Sequence, residues 1–316
     1  MPSVLLIPDR PGWAYDILAQ QLKVHLVDWD VDIKYIVEFR DNVDSIDFSD
    51  YDVVFFFLWY DAMRYGRRVK GFDFQKTCVG VHSIASWKKR GIPAKFAALV
   101  CNQFAATGVI SEELNSLLAL HRPFMTPNGI DQNLFTLAKP PTLEPLRFMW
   151  VGNPNLNHHG DNKGFESIIA PVFDSLDKQV ELVTATPSNP ILRKDMGEFY
   201  ASGHILLCMS ENEGGPLPVL EAMHVGRPVI STSVGIVPEV VVNDVNGWII
   251  ERSRSALKST ILKLLENKEC LENMWGAAHT GVVGRSSVKM ADLYNKMFSY
   301  VLKEGGGLDK ENSSNS

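Results

Sequence analysis

Long apolar runs and an excess of positive charge are missing from this chain and cysteine is scarce, and each shortage closes off a class of function. No segment approaches the ~20 consecutive apolar residues that a membrane-spanning helix needs. The opening Met1-Pro2-Ser3-Val4-Leu5-Leu6-Ile7 has no basic start and too short an apolar stretch for a secretory signal, so a cytoplasmic protein is expected. Only four cysteines occur among 316 residues. Cys78, Cys101, Cys208 and Cys270 are far apart and mostly embedded in apolar segments, which fits reduced core residues rather than a disulfide framework or a metal site. The formal net charge of −6 argues against a general nucleic-acid binder. No internal repeat of solenoid period is visible. What is there, 45% apolar and 22% charged residues, is ordinary for a soluble globular chain, and the length suffices for two domains with separate cores.

The apolar residues are arranged as short buried strands alternating with helical patterns, which implies α/β units built on parallel sheets. Val4–Ile7 reads as a strand, Pro11-Gly12 as a loop and Trp13–Leu22 as a helix with Ile17, Leu18 and Leu22 inward. Asp52–Leu58 and Thr77–Val81 read as further strands, and Leu99–Ile110 holds a helix and another strand. Pro140, Pro141 and Pro145 interrupt the pattern just before a strand at Phe148, so a domain boundary is placed there, giving domains 1–142 and 143–286. The second half repeats the alternation: strands at Phe148, Val180–Thr184, His204–Ser210, Pro228–Thr232 and Trp248–Ile250, with a helix over Phe165–Leu176. Leu257–Leu265 and Ser287–Leu302 have helical amphipathic spacing, and the polar, glycine-rich 304–316 reads as a disordered tail.

The most informative stretch runs from Glu213 to Glu221, Glu-Gly-Gly-Pro-Leu-Pro-Val-Leu-Glu, directly after the apolar run His204–Ser210. Pro216 and Pro218 suit a helix start, and Gly226 with Pro228 closes that helix before the next strand. A helix start after a strand is an anion site, because its unpaired N–H groups and the positive end of its dipole face outward. Gly214 and Gly215 carry no side chain that would keep a phosphate away. Glu213 before the helix and Glu221 about a turn inside it can accept hydrogen bonds from hydroxyls of a sugar or ribose. Phosphate and hydroxyl recognition side by side suits a nucleotide sugar.

These residues resemble the retaining glycosyltransferases of family 4, the glycosyl transferases group 1, whose members have the GT-B fold. Four more segments carry the likeness: Ala106–Leu114 with its Ser111-Glu112-Glu113-Leu114, Thr126–Asp131 through Phe135, Phe148–Gly152 followed by Lys163-Gly164-Phe165, and Val81-His82-Ser83. The likeness covers about residues 76 to 300. It implies two Rossmann-like doubly wound domains facing an interdomain cleft, with the helix at 287–303 packing back on the first.

By the same resemblance Glu213 binds hydroxyls of the donor sugar, Glu221 the ribose, Lys163 the diphosphate, and His82 the donor sugar from the other domain, so His82, Lys163 and Glu213 are the candidate catalytic residues. Gly12 lets the first loop approach the phosphate and acceptor. Two departures stand out. Where the family has an arginine after the glycine that ends the strand, Gly152 is followed here by Asn153; His158 or His159, in the longer loop before Lys163, is the candidate replacement for that charge. Pro216 lacks an N–H donor, which leaves Gly215 and Leu217 to make the backbone contacts. No metal and no cofactor is expected to be required; the donor is a nucleoside-diphosphate sugar. The implied mechanism is retention of configuration by front-side attack, the leaving phosphate helping to deprotonate the acceptor.

The expected acceptor is a glycan, a lipid-linked saccharide or another hydroxyl. Arg64, Arg67, Arg68, Lys70, Lys76, Lys88, Lys89, Arg90 and Lys95 are opposed within their window only by Asp73, so residues 64–95 suit an anionic membrane and a peripheral place on its inner face, another polyanionic acceptor, or simply a solvated basic face. Nucleic acid is disfavoured as a partner, since few aromatics are interleaved there. The rival to an enzyme is a non-catalytic nucleotide-sugar-binding protein of the same fold. A sugar-nucleotide epimerase or phosphorylase on this architecture is disfavoured by the Glu-bearing stretch together with the Asn128 turn.

Overall fold

A computed structural model describes residues 1–154, 161–176 and 180–312, with side chains as far as 304. His158 and His159 lie outside the described residues. The chain forms two compact units, Met1–Gly129 with Ser287–Ser316, and Ile130–Ser286.

In the first unit the expected short apolar runs become β1 (Ser3–Ile7), β3 (Val53–Phe56), β4 (Thr77–Val81) and β5 (Ala106–Val109), joined by the more polar β2 (Asp30–Ile33) and β6 (Pro123–Met125). They pair in the order β2-β1-β3-β4-β5-β6, all parallel. Parallel pairing demands crossovers whose helices cover both faces, which is why the central strands are apolar apart from Thr77 and Thr107 and are buried throughout. Burial pushes the Cys78 thiol up and the Cys101 thiol up to about 12, so both are inert core residues.

The second unit repeats the plan with β7 (Leu146–Val151), β8 (Val180–Ala185), β9 (Ile205–Cys208), β10 (Val229–Ser231) and β11 (Gly247–Ile249). The order is β11-β10-β9-β7-β8, again all parallel. Each sheet therefore reverses its winding between its first and third strands, at β1/β3 and at β7/β9. In open α/β sheets the crevice beyond the carboxyl ends of such a strand pair is where ligands bind.

The boundary lies earlier than the expected 142/143, and the physical reason is side-chain bonding from far along the chain. Arg227 is fully buried and donates to the carbonyls of Ala138 (3.3 Å), Lys139 (2.9 Å), Tyr200 (3.3 Å) and Ala201 (3.0 Å). His204 accepts from the Arg147 N–H (2.8 Å) through Nδ1, and its Nε2 donates to the Thr142 carbonyl (2.9 Å). The proline-rich segment that reads as a linker is thus pinned into the second unit.

The last helix, Ser287–Asn312, belongs to the first unit, where Tyr294, Met297, Phe298 and Val301 are buried. Asn295 accepts from the Trp29 indole (2.8 Å), and the Tyr294 and Phe55 rings meet edge to face at 5.3 Å. The tail expected to be disordered from 304 is helical to Asn312; once a packed stretch nucleates a helix, each added residue costs little. Residues 313–316 lie outside the described residues. No helix among the described residues is long and apolar enough to cross a membrane.

Candidate donor site at the β7 and β9 strand ends

The loops after β7 and β9 meet at the second unit's winding reversal, and they carry Lys163 and Glu213. Lys163 Nζ donates to Glu213 Oε1 at 2.9 Å, and the Ser210 hydroxyl donates to the same oxygen at 3.0 Å. Burial alone would lower the Lys163 ammonium; the Glu213 carboxylate, by charge and by hydrogen bond, more than offsets it, so the lysine is held above its usual range and stays cationic.

The two loops are locked together by backbone contacts. The Glu211 N–H donates to the Asn162 carbonyl (2.7 Å), and the Asn162 amide to the Asn212 carbonyl (3.0 Å). Gly164 has φ +70, and a Cβ there would fall 2.5 Å from the Met209 carbonyl oxygen, so only glycine lets Lys163 turn in against β9. Arg252, just past β11, donates through Nε to the Met209 carbonyl (3.0 Å) and through Nη2 to the Asp161 carbonyl (2.6 Å). A single guanidinium therefore ties both loops.

The helix expected after the glycines spans Leu217–His224, with Pro216 at its N-cap and Pro218 in its first turn. Val219 and Leu220 N–H groups both bond the Pro216 carbonyl (3.0 and 3.4 Å), and the two prolines have no N–H. Of the first turn, Leu217 alone keeps an N–H directed away from the helix, so this helix start is a sparser donor array than usual. Gly215 is half-buried beside it and Gly214 is buried, its carbonyl accepting the Ile236 N–H (2.9 Å). Asn153, separated from β7 by Gly152, is half-buried.

Glu221 is 3% exposed. Its Oε1 accepts from Arg193 Nη1 and its Oε2 from the Tyr200 hydroxyl at 2.9 Å. Burial, and then the Glu221 carboxylate, raise the Tyr200 phenol well above its usual range, so it remains a donor. The Arg193 guanidinium lies 4.8 Å over the Phe135 ring. Each carboxylate oxygen has a second lone pair, so Glu221 is oriented rather than saturated.

The remaining expected residues, His82 and Gly12, are in the first unit. His82 follows β4, is 5% exposed, and packs against Tyr15 (4.9 Å between ring centres) and Phe57 (5.9 Å). Neither ring nitrogen has a hydrogen-bond partner among the described residues, and burial lowers its pKa to about 4, so the imidazole is neutral. Gly12 has φ +75, but its N–H donates to Asp16 Oδ2 (2.7 Å), which removes it as a phosphate donor. Among the described residues no group of His, Cys, Asp and Glu could hold a metal ion.

Arg193, Tyr200, Ser210 and Arg252 are site residues that reading the sequence misses. No local pattern marks them, because their relation to Lys163 and Glu221 exists only after the sheet has formed.

Residues 179–280 match the family model described as glycosyl transferases group 1. N-acetyl-alpha-D-glucosaminyl L-malate synthase of Bacillus anthracis is 30% identical over 112 residues, 35% of this chain and 29% of that one. Trehalose synthase of Thermococcus litoralis is 28% identical over 119 residues, 37% of this chain and 28% of that one. The match thus spans less than a third of either curated relative. Among solved structures, sucrose-phosphate synthase of Thermosynechococcus elongatus superposes with TM-score 0.70 at 15% identity, over 95% of this chain and 100% of that one. Anabaena HepE in complex with UDP and glucose gives TM-score 0.70 at 13% identity over the same shares. The resemblance to group 1 glycosyltransferases and the GT-B fold of two Rossmann-like units stand on these matches.

Proposed function

Taking the likeness to the glycosyl transferases group 1 as premise, we propose that the chain is a retaining glycosyltransferase that moves a sugar from a nucleoside-diphosphate donor to a hydroxyl acceptor. The observation that carries this reading is the Lys163–Glu213 pair, braced by Ser210 at the β7/β9 strand ends before the helix Leu217–His224. A departing diphosphate develops negative charge, and a fixed cation beside a helix start stabilises it without reorganisation. Lys163 takes that role, Glu213 accepts sugar hydroxyls once Lys163 turns to phosphate, and Glu221, aimed by Arg193 and Tyr200, accepts from the ribose. Gly215, Leu217 and Asn153 line the phosphate path. His82 is assigned to the donor sugar by resemblance alone: it is neutral and both ring nitrogens are buried, so a ring N–H reaches a sugar oxygen only when its packing opens. The structural neighbour HepE, solved in complex with UDP and glucose, supports a donor of this class.

Contact with an anionic membrane edge is part of the proposal. On the helix Ala94–Cys101, Phe96 and Leu99 are 53% and 64% exposed, three residues apart on one face, near exposed Lys88, Lys89 and Lys95. Three cations of the basic window are already engaged: Lys70 pairs with Asp47, Arg64 lies 5.1 Å over the Tyr65 ring, and Arg90 stacks 3.7 Å over Tyr60.

A second reading, a nucleotide-sugar binder without turnover, is favoured by Asn153 and by the loss of donors to Pro216 and Pro218. Incubating the full chain with radiolabelled UDP-, GDP- and ADP-sugars separates the two. We expect slow donor hydrolysis, reduced roughly hundredfold in Glu213→Ala; binding without turnover of any donor establishes the binder instead.

A further inference from the structure

The first unit has its own winding reversal at β1/β3, and an open cluster of unlike groups sits there. Trp13, on the loop after β1 and at the N-cap of the next helix, is 48% exposed, large for an indole. Arg10 stacks 4.5 Å from its ring centre and reaches Asp9 only loosely, at 3.9 Å. Asp9 Oδ1 is buried without a hydrogen-bond partner among the described residues. Asp61, in the helix Trp59–Arg64 that follows β3, is 8% exposed and takes part in no ion pair or side-chain hydrogen bond among the described residues. β1 and β3 are paired through Ile7 and Phe56, which brings the segments after them, with Asp9 and Asp61, side by side; burial raises the Asp61 carboxyl to about 6, Arg90 partly opposing this and Asp9 adding to it.

Buried carboxyl oxygens without donors are uncommon, because each costs its desolvation, and they recur where a ligand supplies the missing hydrogen. The surrounding charges restrict what that ligand can be. Two carboxyls, and an Asp16 that already occupies the Gly12 N–H, disfavour an anion. Two arginines, one already on the Trp13 ring, disfavour a cation. A neutral group rich in hydroxyls, with an apolar face to lay on an indole, satisfies both limits.

We infer that Trp13, Asp9 and Asp61 form the acceptor subsite, and that it takes the ring of a neutral saccharide, stacked on Trp13 and donating hydroxyl hydrogens to the two carboxyls. This rests on the glycosyltransferase reading and names its acceptor class: a sugar recognised by its ring, not a phosphate or a lipid phosphate. Stacking and hydroxyl acceptance act together, so loss of either weakens capture of the acceptor.

The test uses the full chain saturated with UDP, which fills the nucleotide part of the donor site; a glycoside entering the donor-sugar pocket would be indifferent to Trp13→Ala and is told apart by that variant. Methyl glycosides of glucose, galactose, mannose and N-acetylglucosamine are compared with glucose 6-phosphate and glycerol 3-phosphate by saturation-transfer NMR. At least one methyl glycoside should bind, at least tenfold more weakly in Trp13→Ala and in Asp61→Asn, and the phosphates should bind no better than their neutral counterparts. Trp13 is exposed, so its replacement does not threaten folding and keeps the comparison valid even should Asp61→Asn unfold. Absence of any glycoside binding, undiminished binding in Trp13→Ala, or preference for the phosphates overturns the assignment. UDP uptake by the wild type, measured in the same samples, reports separately on the donor reading.

Discussion

At the scale of the residue, chemistry is set by which buried groups have partners and which do not. Lys163, Glu213 and Glu221 are matched to one another or to Arg193, Tyr200 and Ser210, so they are held in place before any ligand arrives. His82 and Asp61 are buried without such partners, and both should register in the pH dependence of stability. The His82 pKa of about 4 lies below its ordinary 6.5, so its contribution is complete above pH 6.5 and is lost as pH falls toward 4, by up to roughly 3 kcal/mol. Asp61, raised from 3.8 to about 6, acts with the opposite sign: its contribution is complete below pH 3.8 and lost as pH rises through 6. Between pH 6.5 and 4 the two changes oppose each other. Melting temperature should therefore fall more steeply with acid in Asp61→Asn than in the wild type, and parallel pH profiles would contradict the assignment of burial as the cause.

At the scale of the element, the strands and the donor helix were legible because their signals are local: short apolar runs bounded by glycine and proline, and two prolines at a helix start. β2 escaped notice because it is an edge strand of alternating charge, Asp-Val-Asp-Ile, and β6 because Pro123 opens it. The helix Cys270–Val282 was missed as well, although Leu271, Met274, Trp275, Ala278 and Val282 give it a buried face. Loop-to-loop support was not legible at all, since Arg252 acts on carbonyls of Asp161 and Met209, far from it in sequence. Removing those two bonds in Arg252→Met should weaken UDP binding about tenfold, roughly 1.4 kcal/mol, with Arg252→Lys recovering part of it. Calorimetry checks this, and an unchanged dissociation constant would mean the loops hold their shape without the guanidinium.

At the scale of the whole molecule, the sequence told of two parallel α/β units and a returning C-terminal helix, and it misjudged where one unit gives way to the next. A proline-rich stretch looks the same whether it is free or pinned, and the pinning residues, Arg227 and His204, lie far along the chain. Arg227→Met should leave several buried carbonyls without donors and lower stability by about 2–4 kcal/mol, read as a reduced denaturation midpoint; an unaltered midpoint would return the segment to the status of a linker. Both units share one winding order, and the candidate chemistry gathers at the reversal point of each. The most direct test is calorimetric titration of UDP, GDP and ADP onto the wild type and Lys163→Met. One of the three should bind the wild type at a single site and bind Lys163→Met at least tenfold more weakly, whereas uptake of none, or uptake indifferent to Lys163, would contradict a donor site at the β7 and β9 strand ends.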